Sequence, residues 1–146
     1  MKPRFCKKLL LISFIVLSQL ISSNIIGGKK MFEGKTDIGK VNHPGSIKYA
    51  GNNTIEITGS GENIWGKEDA FFYAWNKLEG DLFLAMEYKW VGKGKHEHRK
   101  GGWMVRTGLE PNDVYVDAMI HGDGLISMQY RKEKGGDTYE VRSMIN

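Results

Sequence analysis

Three seven-residue segments in the second half of the chain alternate between polar and apolar residues, and they constrain the fold more than any other feature. They are Gly101–Thr107, Tyr115–His121 and Leu125–Arg131. A two-residue period places successive side chains on opposite faces of a β-strand, whereas a helix has a period of 3.6 residues. The link from His121 to Leu125 is rich in Gly and Asp, which is typical of a tight hairpin. The pattern therefore predicts neighbouring antiparallel strands.

The rest of the chain after its N-terminal region continues this pattern, with Gly-rich and Asn-rich turns between short runs and no sustained helical period. The longest predicted strand, Asp81–Trp90, has five large apolar side chains on one face. The other predicted strands are Ser46–Tyr49, Thr54–Thr58, Phe71–Trp75 and Tyr139–Ser143. Seven or eight strands of this spacing predict an all-β domain, an antiparallel β-sandwich of the jelly-roll type. A complete sandwich needs further strands, so we expect a partner or a C-terminal extension to complete it.

The N-terminus has the organisation of an export signal. Basic residues precede an apolar run, Leu9–Ile21, which ends at the small polar residues Ser22 and Ser23. Residues 1–23 are therefore predicted to be a helical signal peptide, residues 24–31 a flexible segment and residues 32–146 one β-sandwich domain. The protein is expected to be secreted or periplasmic. The alternative is an uncleaved signal anchor, through which alone the chain would contact a membrane.

Cleavage of the signal would remove the apparent basic character of the chain. The whole sequence has 21 Lys and Arg against 17 Asp and Glu, and four of the basic residues precede Asn24, so residues 24–146 carry 17 of each sign. No nucleic-acid partner is therefore expected, although the sequence pI is near 9.1. The one cysteine, Cys6, also lies in the signal. The mature chain is thus expected to have neither a disulfide nor a thiol nucleophile, and no cofactor is predicted.

Strand parity predicts a candidate ligand-binding surface. Apolar side chains such as Ile120 and Met128 are expected to face the core, which would leave the alternate, polar side chains exposed on one sheet face. Planar hydrogen-bonding groups beside Trp or Tyr rings suit a sugar, and Trp65 is one of the candidate platforms. The alternative is an ordinary solvated sheet face. The candidate ligand-binding residues are Arg106, Asp117, His121, Gln129, Arg131 and, as an extension, Glu87.

Catalytic and metal-binding patterns are weak by comparison. A retaining glycosidase needs two carboxyl groups about 5–5.5 Å apart, yet Glu87 is alone on its predicted strand and Asp117 has no acidic residue two positions away. His96 and His98 could bind a metal only with a third ligand such as His121, and no established spacing motif supports this. No catalytic residue and no metal site are predicted. Non-catalytic binding is favoured over a hydrolase or lyase.

A set of short motifs resembles a known exported bacterial module. They include Phe32-Glu-Gly-x-Thr-Asp-Ile-Gly, His43-Pro-Gly-Ser, Gly59-Ser-Gly-Glu-Asn-Ile-Trp and Tyr115-Val-Asp117-Ala-x-x-His121-Gly-Asp-Gly-Leu. The region from Phe32 to Val141 resembles the concanavalin-A-like lectin/glucanase-type module found ahead of TolB-like β-propeller repeats, which is related to the regulation-of-enolase domain group. The resemblance implies a jelly-roll sandwich and no settled activity. It adds a third functional hypothesis, an accessory module that docks on a propeller protein.

Overall fold

The computed structural model describes residues 9–11, 31–51, 54–92, 94 and 96–144. The predicted signal helix and the flexible segment up to residue 30 lie outside these residues, apart from Leu9–Leu11. No helix is present in the described ranges, and so none that could cross a membrane. The strands are β1 (Leu9–Leu11), β2 (Gly34–Ile38), β3 (Ser46–Tyr49), β4 (Ile55–Thr58), β5 (Ile64–Trp65), β6 (Glu68–Asp69), β7 (Phe71–Leu78), β8 (Lys100–Arg106), β9 (Tyr115–His121), β10 (Leu125–Arg131) and β11 (Thr138–Met144).

Seven of these strands form one antiparallel sheet in the order β11-β10-β9-β8-β1-β7-β2, and β3–β4 and β5–β6 form two separate hairpins. The predicted all-β class is therefore confirmed. Strands β3, β9 and β10 have the predicted bounds, because alternation and flanking turn residues mark both of their ends. In the tight turn between β9 and β10, Gly124 has a φ of 91° and its N–H donates to the carbonyl oxygen of His121 at 3.1 Å. Only glycine adopts that backbone angle without strain.

The predicted strand Asp81–Trp90 is wrong for this structure, in which the segment has no strand hydrogen bonds. Its alternation survives from residue 84 onward, since the residues between the half-buried side chains are exposed. The half-buried side chains are Leu84, Met86, Tyr88 and Trp90. The position between β7 and β8 is instead filled by β1, which pairs with both of them. The segment therefore has no free strand edge beside its neighbours in sequence, and hydrogen bonding to such an edge is what turns an extended segment into a strand.

The assignment of the sheet faces was also wrong, although the parity was right. Val116 and Met128 are 41% and 44% exposed, whereas the polar residues that alternate with them are buried. A two-residue period determines which side chains share a face but not which face is covered. Here the covered face is the one that carries the polar side chains, and Met104, Tyr115 and Met119 lie on it too. They form the core with Ile38, Ile64 and Tyr73.

Candidate functional site

Two of the predicted ligand-binding residues, Arg106 and Arg131, lie in a buried ionic network. Arg131 donates from both terminal nitrogens to the two carboxylate oxygens of Asp69, each at 2.8 Å, and Arg106 Nη2 lies 3.7 Å from the same carboxylate. The side chains of all three are fully buried. Burial raises the pKa of Asp69, and the hydrogen bonds and charge of Arg131 oppose this effect.

The two arginines also fasten loops over the sheet. Arg131 donates to the carbonyl oxygens of Gly66, Asp113 and Gly136, each at 3.0 Å. Arg106 donates to the carbonyl oxygen of Glu110. A guanidinium has five N–H donors in a fixed plane, which suits it to bridging several carbonyl oxygens. These arginines therefore have a structural role and are not available to a ligand.

Asp117 also lies in the buried layer of the sheet and does not reach the protein surface. Its Oδ1 accepts a 2.8 Å hydrogen bond from the backbone N–H of Gln129, and its Oδ2 has no hydrogen-bond partner among the described residues. Burial raises the pKa of Asp117 to about 7, and the hydrogen bond from Gln129 and the charge of Lys100 oppose the shift. This carboxyl group therefore titrates near neutrality without contact with solvent.

A polar cavity of about 570 Å³ lies at the end of the sheet where β9 ends and β10 begins. It is open to solvent and bounded by the loops before β5 and β8, the β9–β10 turn and strand β11. The residues that line it are Glu62, Asn63, Trp65, His96, His98, Lys100, His121, Asp123, Leu125, Gln129, Glu140 and Arg142.

A chain of hydrogen bonds crosses this cavity from one strand to the next. Lys100 Nζ donates to Asn63 Oδ1 at 2.9 Å and to Gln129 Oε1 at 3.1 Å. Gln129 Nε2 in turn donates to Glu140 Oε1 at 2.8 Å. Such linked groups fix one another's orientation. The cavity thus presents donors and acceptors in a set order.

The surroundings shift the pKa values of two groups in this hydrogen-bonded series, Glu140 and Lys100. Glu140 also accepts a hydrogen bond from Arg142 Nε. Burial opposes ionisation of Glu140, but the hydrogen bonds from Arg142 and Gln129 lower its pKa, so it is a carboxylate at neutral pH. Burial lowers the pKa of Lys100, and the neighbouring carboxylates Asp117 and Glu140 oppose that shift.

Trp65 adds an aromatic surface to the cavity. Trp65 is 43% exposed, and Lys100 Nζ lies 5.8 Å from the centroid of its ring. Trp65 was considered as an aromatic platform from the sequence, and it lies on the wall of the polar cavity. A half-exposed indole beside oriented polar groups can contact the apolar face of a ligand whose edge carries hydroxyl groups.

The structure thus brings together only part of the predicted site. His121 and Gln129 line the cavity, Arg106, Asp117 and Arg131 lie in the buried layer, and Glu87 is exposed on the segment 81–90 away from the cavity. Lys100 and Glu140 were missed. A signal for Glu140 existed, because it is the cross-strand partner of Gln129. A similar signal existed for Lys100, because it is the cross-strand partner of His121, but it lies one residue before the predicted strand Gly101–Thr107.

The histidines are arranged differently from the His96–His98 pair that was considered, and not predicted, as a metal site. His96 Nδ1 accepts a 3.1 Å hydrogen bond from the backbone N–H of His98. His98 instead approaches His121 and Asp123, and one potential ligand atom from each of these three lies within 4.8 Å of the others.

Comparison of the chain with protein-family models, with curated proteins and with solved structures gave no match.

Proposed function

We propose that the chain is an exported β-sandwich module that binds a carbohydrate, or a polymer of similar chemistry, without cleaving it. The binding site is the polar cavity beside Trp65. The observation that carries the proposal is the hydrogen-bonded series Asn63–Lys100–Gln129–Glu140, which lies next to a half-exposed indole ring.

The chemistry of a sugar matches this arrangement. Each hydroxyl group of a sugar both donates and accepts, so it needs carboxylate and amide oxygens as well as N–H donors at fixed positions. Glu140 supplies an acceptor, and Lys100 and Arg142 supply donors, while the buried amide of Gln129 orients Lys100 and Glu140. The apolar C–H face of a sugar ring can lie on the indole of Trp65. A volume of about 570 Å³ accommodates one or a few sugar units.

The enzyme alternative, a glycoside hydrolase or lyase, has less support. It relied on Glu87 and Asp117, and neither lines the cavity. Glu140 lines it but is held as a carboxylate by Arg142 and Gln129, whereas a general acid must carry a proton at working pH. The site therefore favours binding without turnover.

A jelly-roll sandwich remains our proposal for the complete fold, with the seven-stranded sheet as one layer. The uncovered face of β9 and β10 supports it, because Val105, Val116, Met128 and Tyr130 there line an apolar depression of about 430 Å³. Sandwiches cover such a face with a second sheet. The same face, with the edge strand β11, favours the second candidate function, docking on a propeller protein.

The binding function can be tested with Trp65→Ala. We expect the full chain to bind polysaccharide in a glycan array and in affinity electrophoresis, and the substitution to weaken binding about fivefold to tenfold through loss of the ring contact. Glu140→Gln should also weaken binding, because a neutral amide oxygen accepts hydrogen bonds from hydroxyl groups less strongly than a carboxylate oxygen does.

Tyr49→Ala is the matched control, since Tyr49 is an exposed aromatic residue on the separate β3–β4 hairpin. It should bind as the wild type does. Absence of glycan binding by the wild type, or equal losses for Trp65→Ala and Tyr49→Ala, would contradict the proposal. Binding to a propeller protein that is lost in Val141→Lys on the outer face of β11 would favour docking instead.

Export can be tested independently of the ligand. If the chain is secreted or periplasmic, mass spectrometry of protein from the medium or periplasm should find an N-terminus close to Asn24. Recovery of the full-length chain from the cytoplasm alone would contradict it.

A further inference from the structure

Three side chains, one from the loop before β8 and two from the β9–β10 hairpin, lie together in the lining of the polar cavity. His98 lies in the loop before β8, His121 is the last residue of β9, and Asp123 lies in the β9–β10 turn. We propose that these three residues form a binding site for one divalent transition-metal ion such as Zn²⁺. Imidazole nitrogen and carboxylate oxygen are the usual ligands of such ions, and the inference does not depend on the proposed carbohydrate binding.

His121 has a ring nitrogen that the protein leaves unused. The residue is 3% exposed, its Nε2 lies 3.1 Å from Ser127 Oγ, and its Nδ1 has no hydrogen-bond partner among the described residues. Buried polar atoms are nearly always paired, so an unpaired one requires an explanation. When Nε2–H donates to Ser127, Nδ1 carries a free lone pair, which is the form of histidine that binds a metal.

Asp123 is oriented toward His98 by its own turn. Its Oδ1 accepts a 3.0 Å hydrogen bond from the backbone N–H of Leu125, and its Oδ2 lies 3.6 Å from His98 Nδ1. On the other side of the His98 ring, Nε2 lies 3.7 Å from Glu97 Oε1. A carboxylate or hydroxyl group on the far side of each imidazole is usual around a metal site, because it fixes the orientation of the ring.

Small movements would complete the coordination geometry. Metal–ligand bonds of about 2.0–2.1 Å in a tetrahedron place ligand atoms about 3.3 Å apart, and the three candidate atoms lie within 4.8 Å of one another. His98 can supply the approach because its side chain is 54% exposed and its loop contains Gly92 and Gly94. His121 and Asp123 both belong to the β9–β10 hairpin, and all three residues line the cavity.

Isothermal titration of the full chain with ZnCl₂ tests the site. We expect one equivalent to bind to the wild type, and His98→Ala and Asp123→Asn each to bind at least about tenfold more weakly. The thermal midpoint of metal-free His98→Ala should equal that of the wild type, because His98 is exposed. Zn²⁺ should raise the midpoint of the wild type more than that of either variant.

His96→Asn is the matched control on the same loop. It removes an imidazole but keeps a side-chain acceptor for the N–H of His98, so Zn²⁺ affinity should be unchanged. Equal Zn²⁺ affinity of His98→Ala and the wild type would overturn the proposal, as would a loss in His96→Asn as large as that in His98→Ala. Absence of Zn²⁺ binding would overturn it while leaving the glycan-binding test unaffected.

Discussion

The two faces of strands β9 and β10 differ in both chemistry and exposure, in the opposite sense to an ordinary sheet. One face carries Asp117, Gln129 and Arg131 and is buried, and the other carries Val116 and Met128 and is about two-fifths exposed. The buried face is stabilised where Arg131 pairs with Asp69 and donates to carbonyl oxygens in the covering loops. The comparison shows that hydrophobicity alone does not identify the core side of a sheet when buried charged side chains such as Arg131 find partners on other elements of the fold.

Replacement of Arg131 should have the largest effect on this arrangement. Arg131→Ala leaves Asp69 buried with Arg106 as its remaining charged neighbour, at 3.7 Å, and unfolding in urea should show a loss of about 3–5 kcal/mol. Lys132→Ala is the control, since Lys132 is exposed and its Nζ lies over the rings of Tyr130 and Tyr139. It should cost about 1 kcal/mol or less. Similar losses in the two variants would mean that the polar face is not the buried one.

Asp117→Asn should change the pH dependence of the free energy of unfolding. Because the pKa of Asp117 is raised in the folded state from 3.8 to about 7, the native state holds a proton that the unfolded state releases near pH 4. Wild-type stability from this group is therefore present at low pH and lost as pH rises from about 4 to 7. The variant cannot titrate there, so its stability relative to the wild type should rise over that window by on the order of 3 kcal/mol.

Urea unfolding of both proteins at pH 4.5, 6 and 8 measures this difference. The comparison cancels the titration of all other groups that the two proteins share. A difference that stays constant with pH would show that Asp117 is solvated, and it would then belong with the exposed face.

Met128→Ala should have the smallest effect. Met128 is 44% exposed on the outer face, so the loss should be about 0.5 kcal/mol or less. Met119, on the neighbouring strand, provides the same residue type on the inner face at 4% exposure. Met119→Ala should cost about 2–5 kcal/mol because it leaves a cavity in the core. Reversal of this order in thermal or urea unfolding would restore the assignment of faces expected from the sequence.

Much of the strand layout was predictable, because alternation and turn residues are local signals. Strands β9 and β10 were found at their bounds, and the residues that share their faces were grouped correctly. The covered face was not predictable, since it depends on loops that bring Asp69 to Arg131 across 62 positions of sequence. The candidate site was only half predictable for the same reason. His121 and Gln129 follow from strand parity and Lys100 from its pairing with His121, but Trp65 joins them through long-range packing.

The three-residue strand β1 has a consequence for the order of events after synthesis. It joins β7 to β8, which no other described strand connects, yet it lies in the predicted export signal. Cleavage of that signal would divide the sheet and leave two strand edges unpaired. Asp81–Trp90 is linked to β7 by two residues, including Gly80 with a φ of 94°. Placed between β7 and β8, this segment would run antiparallel to both. If the signal is cleaved, completion of the sheet would then require Asp81–Trp90 to replace β1 between β7 and β8.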